Sequence, residues 1–215
     1  QAIARLLSAV RARLPLLPEC EITLEANPGT FERERFAAYA QAGVTRLSVG
    51  VQSFDDAALH ALGRIHTAEQ ASAALSEAAR TFSTFNLDLM YALPAQTLAG
   101  LQHDLTQALA FAPPRLSIYQ LTIEPNTFFA KYPPPHLPDD DLAYTMLDAI
   151  TAQTATCDLQ RYEVSAYARS GHHCRHNRNY WEFGDYLGIG AGAHSKLSFP
   201  HRIVRQVRLR EPQRY

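Results

Sequence analysis

His176, Asn177, Arg178, Asn179, Tyr180 and Trp181 stand side by side, so one imidazole, two amides, a guanidinium and two aromatic rings fall within six residues. A neutral imidazole ligates metals, and aromatic faces pack against flat apolar groups. His172, His173 and Cys174 come just before. On a helix His172 and His176, four residues apart, would share a face, as zinc-binding pairs do. No second cluster at finger-like spacing accompanies them. A helix surface without any ligand, with Tyr180 and Trp181 as core residues, is the plain alternative. Gly188-Ile189-Gly190-Ala191-Gly192-Ala193 follows. It fits the loose dinucleotide pattern G-x-G-x-x-A, yet the acid roughly twenty residues on would be Glu211, and no fresh strand-helix unit follows. It reads as a loop where backbone comes close to another group, and His194 beyond it as a satisfied polar residue.

A second polar set lies on segments that must be strands. Glu21–Ala26, Arg46–Val51, Asn86–Tyr91 and Arg115–Leu121 are strand-like. Helical patterns cover 31–42, 67–81, 97–110 and 139–155, with a short turn at Asp55–Leu62 and an amphipathic run over 1–13. The alternation predicts parallel strands with helical crossovers. Thr30 and Thr67 are expected N-caps, with Glu69 one residue too early for a capping box. Pro133–Pro138 reads as a stiff linker that ends the barrel portion.

The strand faces differ in character. Glu21, Thr23 and Glu25 share one side of the first strand; Ser48, Gly50 and Gln52 share one side of the second; Asn86 and Asp88 share one side of the third. Parallel strands are normally apolar on both faces. A consistently polar face points into a closed barrel, or into solvent from an open sheet. Glu25 and Gln52 fall at carboxyl ends of strands, where α/β barrels build their sites. Asp88 lies mid-strand on the same face, and Arg64 can reach back over that edge. A buried carboxylate needs a partner: a polar ligand, or an internal ion pair to Arg64.

Glu25-Ala-Asn-Pro-Gly29, Leu47-Ser-Val-Gly-Val-Gln-Ser-Phe54, Leu62-Gly-Arg-Ile-His66 and Asn86-Leu-Asp-Leu-Met-Tyr-Ala-Leu-Pro94, taken in order, resemble the coproporphyrinogen-oxidase-like branch of the radical S-adenosylmethionine (SAM) proteins. The resemblance implies an α/β fold, a partial TIM-like (β/α) barrel over 1–132 comprising strands three to six of the family's barrel. The start of a C-terminal α+β extension would occupy 133–215. It places SAM contacts on Glu25, Gln52, Arg64 and Asp88. The segment His176–Trp181 is similar to the motif of the HemW-type haem chaperones. That resemblance implies haem contacts at His176, Asn177, Tyr180 and Trp181, with His176 on the haem iron and Arg175 or Arg178 near the propionates. The implied activity is delivery of haem to an acceptor protein, which could be membrane-associated, rather than catalysis. The alternative in the same branch is an oxygen-independent coproporphyrinogen III dehydrogenase. The family also carries a three-cysteine loop for a 4Fe-4S cluster and a glycine-rich SAM loop. Neither is present here, so no cluster is expected. The amphipathic run already under way over 1–13 and an apolar-basic alternation at Ile203–Leu209 that reads as an unfinished strand lead to the expectation of a chain truncated at both ends.

Composition narrows the classes further. The 215 residues carry a net charge of −1, which argues against a nucleic-acid surface, and 18 of the 20 basic residues are arginine. Three scattered cysteines, Cys20, Cys157 and Cys174, make no disulfide framework, so a cytoplasmic setting is expected. No apolar run of membrane-spanning length is present.

Overall fold

The computed structural model of the chain describes residues 1–28 and 33–214. It divides into two compact units, Gln1–His172 and His173–Tyr215. In chain order the first unit holds α1 (Ala2–Arg11), β1 (Thr23–Ala26), α2 (Arg33–Ala42), β2 (Arg46–Gln52), α3 (Asp56–Ala61), α4 (Ala68–Thr81), β3 (Phe85–Tyr91), α5 (Leu98–Ala110), β4 (Arg115–Gln120), α6 (Phe128–Lys131), α7 (Asp140–Ala155), β5 (Gln160–Arg161) and β6 (Ala166–Ala168).

β1 to β4 are parallel and adjacent in sequence order. Leu47, Val49, Val51, Leu87, Leu89, Leu116 and Ile118 alternate onto one face and are buried with Leu75, Leu101, Leu105, Met146 and Ile150 from the helices. Each such side chain stabilises the fold by about 1.5–3 kcal/mol. A one-residue slip would turn the whole set to the polar side, so this face fixes the register.

Side-chain caps start the helices. Asp55 accepts from the Ala58 N–H at 2.7 Å, Thr97 from Gly100 at 3.1 Å and Asp139 from Leu142 at 2.9 Å. Thr67 caps α4 within a full capping box. Its partner is Gln70, the residue after Glu69, so the box that Glu69 stands too early to make is closed by its neighbour. Thr30 lies outside the described residues.

The sheet continues past the prolines. β6 runs antiparallel beside β4, with Ser117 opposite Ala166, and β5 pairs with β6. β6 covers an edge of β4 that would otherwise expose unpaired backbone groups. α7 packs on α5. The linker is stitched down where the Ala95 N–H donates to the His136 carbonyl at 2.7 Å. The compact unit reaches His172.

The second unit holds α8 (Arg175–Trp181), β7 (His194–Phe199) and β8 (Arg202–Val207). The alternation at Ile203–Leu209, expected to be an unfinished strand, belongs to a closed hairpin: β8 pairs antiparallel with β7 from His194↔Val207 to Phe199↔Arg202. β7 escaped notice because His-Ser-Lys-Leu-Ser-Phe is mostly polar.

Candidate functional site

The carboxyl end of the parallel sheet carries the first group of candidates. Pairing sets Glu25 beside Ser48, Gly50 beside Asp88, and Asp88 beside Ser117. Paired residues share a face, so the inward polar face expected from alternation exists, and Asp88 lies on it. Ser48 Oγ donates to Asp88 Oδ2 at 3.0 Å. Asn86 Nδ2 lies 2.7 Å from Asp88 Oδ1 and 2.9 Å from both Ser48 Oγ and Ser117 Oγ. Nearer the amino end of the strands, Glu21 bridges Arg46 at 3.4 Å and Arg115 at 3.0 Å. Hydrogen bonds and ion pairs thus tie the lower face together.

The upper face is held differently. Burial pushes the Asp88 pKa above its ordinary value, and the nearby Glu25 charge adds to the rise, against hydrogen bonds from Ser48, Ser117 and Asn86. Glu25 is exposed. Neither Glu25 nor Asp88 is ion-paired to Arg64 among the described residues, so the internal salt bridge weighed as the alternative is not formed. Two carboxylates on one sheet end, one with a raised pKa, suit a ligand that brings ammonium or hydroxyl donors.

Gln52 ends β2 at a register shift, with φ +71° in the left-handed region. Non-glycine residues held there cluster at binding sites because surrounding contacts must impose the strain. Its amide folds back over Gly50, where an added Cβ would meet Gln52 Nε2 at 2.9 Å and Asn27 Oδ1 at 3.4 Å. Glycine at position 50 therefore gives the two amides room beside Asp88. Arg64 follows α3 on a segment tied to the same edge, since His66 Nε2 lies 3.0 Å from the Val51 carbonyl. No hydrogen bond or ion pair joins its guanidinium to Glu25, Gln52 or Asp88 among the described residues.

Two residues of this region went unread in the sequence. Tyr119, on the inner face of β4, has its pKa raised by burial first and then by the Asp88 and Glu25 charges. The same alternation that singled out Asp88 could have found it. Asp104 is buried on α5, where it accepts from Ser53 Oγ at 2.8 Å and the Phe54 N–H at 2.7 Å. It pins the turn that follows Gln52. An aspartate on the apolar side of a helix, beside Leu101, Leu105 and Ala108, was the signal.

In the second unit α8 presents the His176–Trp181 segment. His172 precedes the helix, so the shared helical face behind the zinc reading does not form. Cys174 Sγ lies 3.2 Å from His176 Nδ1. Tyr180 and Trp181 are 54% and 62% exposed. They are surface aromatics, contrary to the core alternative. Tyr180 meets the Tyr186 ring edge-on at 4.7 Å between centroids. Arg178 pairs with Glu182 at 2.6 Å on the exposed face of the helix. The glycine loop is a close approach: a Cβ on Gly188 would collide with the His194 backbone.

A polar knot below α8 was also missed. Lys196 Nζ donates to the Phe183 carbonyl at 2.8 Å, Asp185 Oδ1 at 3.0 Å and Ser198 Oγ at 3.0 Å, and lies over the Phe183 ring at 3.9 Å. Hydrogen bonds from Ser198, and then from Lys196, lower the Asp185 pKa to about 2.

Residues 2–108 match the sequence profile of the Radical SAM superfamily. The chain belongs to the radical SAM superfamily. Within this superfamily its sequence groups with the HemW-type proteins. It is 51% identical over 213 residues to the Heme chaperone HemW of Escherichia coli (strain K12), covering 98% of this chain and 56% of that protein. Against the Heme chaperone HemW of Haemophilus influenzae the identity is 49%, with 100% and 56% covered. A mouse (Mus musculus) relative, Radical S-adenosyl methionine domain-containing protein 1, mitochondrial, is 42% identical over 91% of this chain and 45% of its own length. The chain thus spans about half the length of the curated relatives it matches. Among solved structures, the radical SAM enzyme coproporphyrinogen III oxidase (HemN) from Escherichia coli superposes with a TM-score of 0.82 at 24% identity, over 99% of this chain and 52% of that one. That likeness establishes the radical SAM fold, here as a partial barrel of parallel strands.

The superfamily implies SAM and a 4Fe-4S cluster. The donor set at Glu25, Gln52 and Asp88 fits the ammonium and hydroxyl groups of SAM. The cysteines do not fit a cluster: Cys20 precedes β1, Cys157 follows α7 and Cys174 precedes α8. Among the described residues no helix is long and apolar enough to cross a membrane.

Proposed function

We propose that this chain contributes the SAM-binding edge and the haem-binding segment of a haem chaperone, a protein that holds haem and hands it to an acceptor in the cytoplasm. The observation that carries this reading is the exposure of Tyr180 and Trp181 beside His176 on one short helix. Exposed apolar side chains gathered on one short stretch mark a surface for a ligand or partner. Haem matches the set: His176 would supply a nitrogen to the iron, Tyr180 lies one helical turn away, Trp181 would offer a second ring, and Asn177 an amide. The kinship with proteins named Heme chaperone HemW at 49–51% identity supports the same reading.

Glu25, Gln52, Arg64 and Asp88 are assigned to SAM. Asp88 and Glu25 would accept from its ammonium and ribose hydroxyls, and Arg64 would bind its carboxylate as a fork. When bound, SAM beside a cluster supplies radical chemistry in this superfamily; this chain's residues orient the molecule and supply no cluster thiolates. The acceptor is a protein, soluble or membrane-associated, and no nucleic acid is involved.

The test is a haem titration of the whole protein. His176→Ala should weaken haem binding and shift the Soret band, while His103→Ala should leave both unchanged. An unaltered spectrum in His176→Ala would return α8 to a helix surface without a ligand. Anaerobic conversion of coproporphyrinogen III to protoporphyrinogen IX by the whole protein would instead establish the dehydrogenase.

A further inference from the structure

Haem carries two carboxylates, and the hairpin of the second unit presents an exposed arginine that can receive one of them. This inference rests on the haem reading above. His176 and Tyr180 are a helical turn apart on α8, and the Tyr180 ring meets that of Tyr186. Tyr186 forms an antiparallel bridge with Lys196, and Lys196 pairs with Arg205 across the hairpin. Directly opposed residues of antiparallel strands project to the same face. Tyr186, Lys196 and Arg205 therefore form one row. Neighbouring strands lie about 4.8 Å apart, which sets the Arg205 backbone roughly 10 Å from that of Tyr186.

The cations near α8 differ in what they are free to do. The Lys196 side chain is only 3% exposed, and its ammonium is taken by Phe183, Asp185 and Ser198. Arg178 pairs with Glu182 along its own helix. Arg205 is exposed and makes no hydrogen bond or ion pair with any described residue. Ile203 and Val207 flank it on the same face at 50% and 63% exposure, an apolar border that a macrocycle edge can cover. Arg202 projects to the opposite face, its guanidinium 5.8 Å from the Phe199 ring.

We propose that Arg205 is the carboxylate anchor of the haem site. Its planar guanidinium forks onto a haem propionate while the His176–Tyr180 end of the row takes the iron and the ring. An arginine suits this position better than lysine because its fixed fork matches both carboxylate oxygens.

The whole protein, titrated with haem and with haem dimethyl ester, tests this through Soret absorbance. Arg205→Ala should weaken haem binding about tenfold, the scale of a charged hydrogen-bonded contact, and leave ester binding within about twofold. Arg205→Lys should recover part of the loss, and Arg202→Ala should bind both ligands as the parent does. Equal weakening towards haem and ester would make the role of Arg205 structural and overturn the proposal. Parent-like haem binding by Arg205→Ala, with His176→Ala still defective, would overturn the anchor and leave the haem reading standing. Parent-like binding by His176→Ala would bring down the haem reading itself.

Discussion

Replacing Asp104 tests how the ligand edge is braced from behind. Asp104 is 2% exposed and holds two buried donors, the Ser53 hydroxyl and the Phe54 N–H. Hydrogen bonds to a charged group are worth about 1.5–3 kcal/mol each, and donors left buried without a partner pay their desolvation. Against this, burial raises the Asp104 pKa, so keeping the carboxylate ionised costs part of the gain. Asp104→Ala should therefore destabilise the protein by about 2–4 kcal/mol. With a urea m-value of about 2 kcal/mol/M, the unfolding midpoint should fall by roughly 1–2 M. Asp104→Asn keeps one acceptor and should lose about half as much. Ser53→Ala should cost about 1 kcal/mol alone and little in the Asp104→Ala background, since the pair act together. Because Ser53 directly follows Gln52 in its left-handed conformation, SAM affinity should drop in step. Urea unfolding followed by circular dichroism reads the stabilities. A midpoint change near zero in Asp104→Ala, or full additivity with Ser53→Ala, would refute the bracing role.

The raised Asp88 pKa makes a prediction of definite sign. Its folded value exceeds its unfolded value, so its contribution to stability is complete below the ordinary carboxyl range and is lost as pH rises through the elevated folded value. In ligand-free protein Asp88→Asn should flatten that part of the stability profile and be neutral or stabilising near pH 7, while weakening SAM binding; a strongly destabilised variant at neutral pH would contradict it. Asp185 behaves oppositely. Its carboxyl should titrate near pH 2 by carbon NMR, its contribution being present above the ordinary carboxyl range and lost as pH falls through about 2. Lys196→Met should move the midpoint upward, and an unmoved midpoint would mean Ser198 alone sets it. Gly188→Ala should force the 188–194 loop apart, because the new methyl would meet the His194 backbone. A cost of about 1–3 kcal/mol, typical of overpacking, should show as lost hairpin dispersion in amide NMR, and a parent-like spectrum would disprove the close packing.

The order of elements was legible in the chain because two local rules govern it. Hydrophobic periodicity separated β2, β3 and β4 from α4, α5 and α7, and Thr67, Thr97 and Asp139 mark helix starts that follow from short-range hydrogen bonding. The inward face of Glu25, Ser48, Asn86 and Asp88 follows from the same alternation, since side chains on a strand must project to opposite sides. The motifs also carried the family, which sequence kinship then bore out.

Tertiary structure decided what depends on residues far apart in the chain. That Asp88 is met by Ser48 rather than Arg64 rests on strand register, which no local pattern states. Asp104 reaches back 50 residues to the turn after Gln52. β6 covers β4 although the proline linker suggested an end, because an open sheet edge is worse than a long connection. In the second unit, Tyr180 and Trp181 could have been core or surface by composition alone; the brevity of α8 and the knot around Lys196 leave them outside. The sequence by itself determined the elements, the polar face and the kinship, since these follow from nearest-neighbour chemistry. Which polar groups are spent on one another and which stay available to a ligand was decided by three-dimensional pairing, because hydrogen-bond satisfaction is settled by distance in space rather than along the chain.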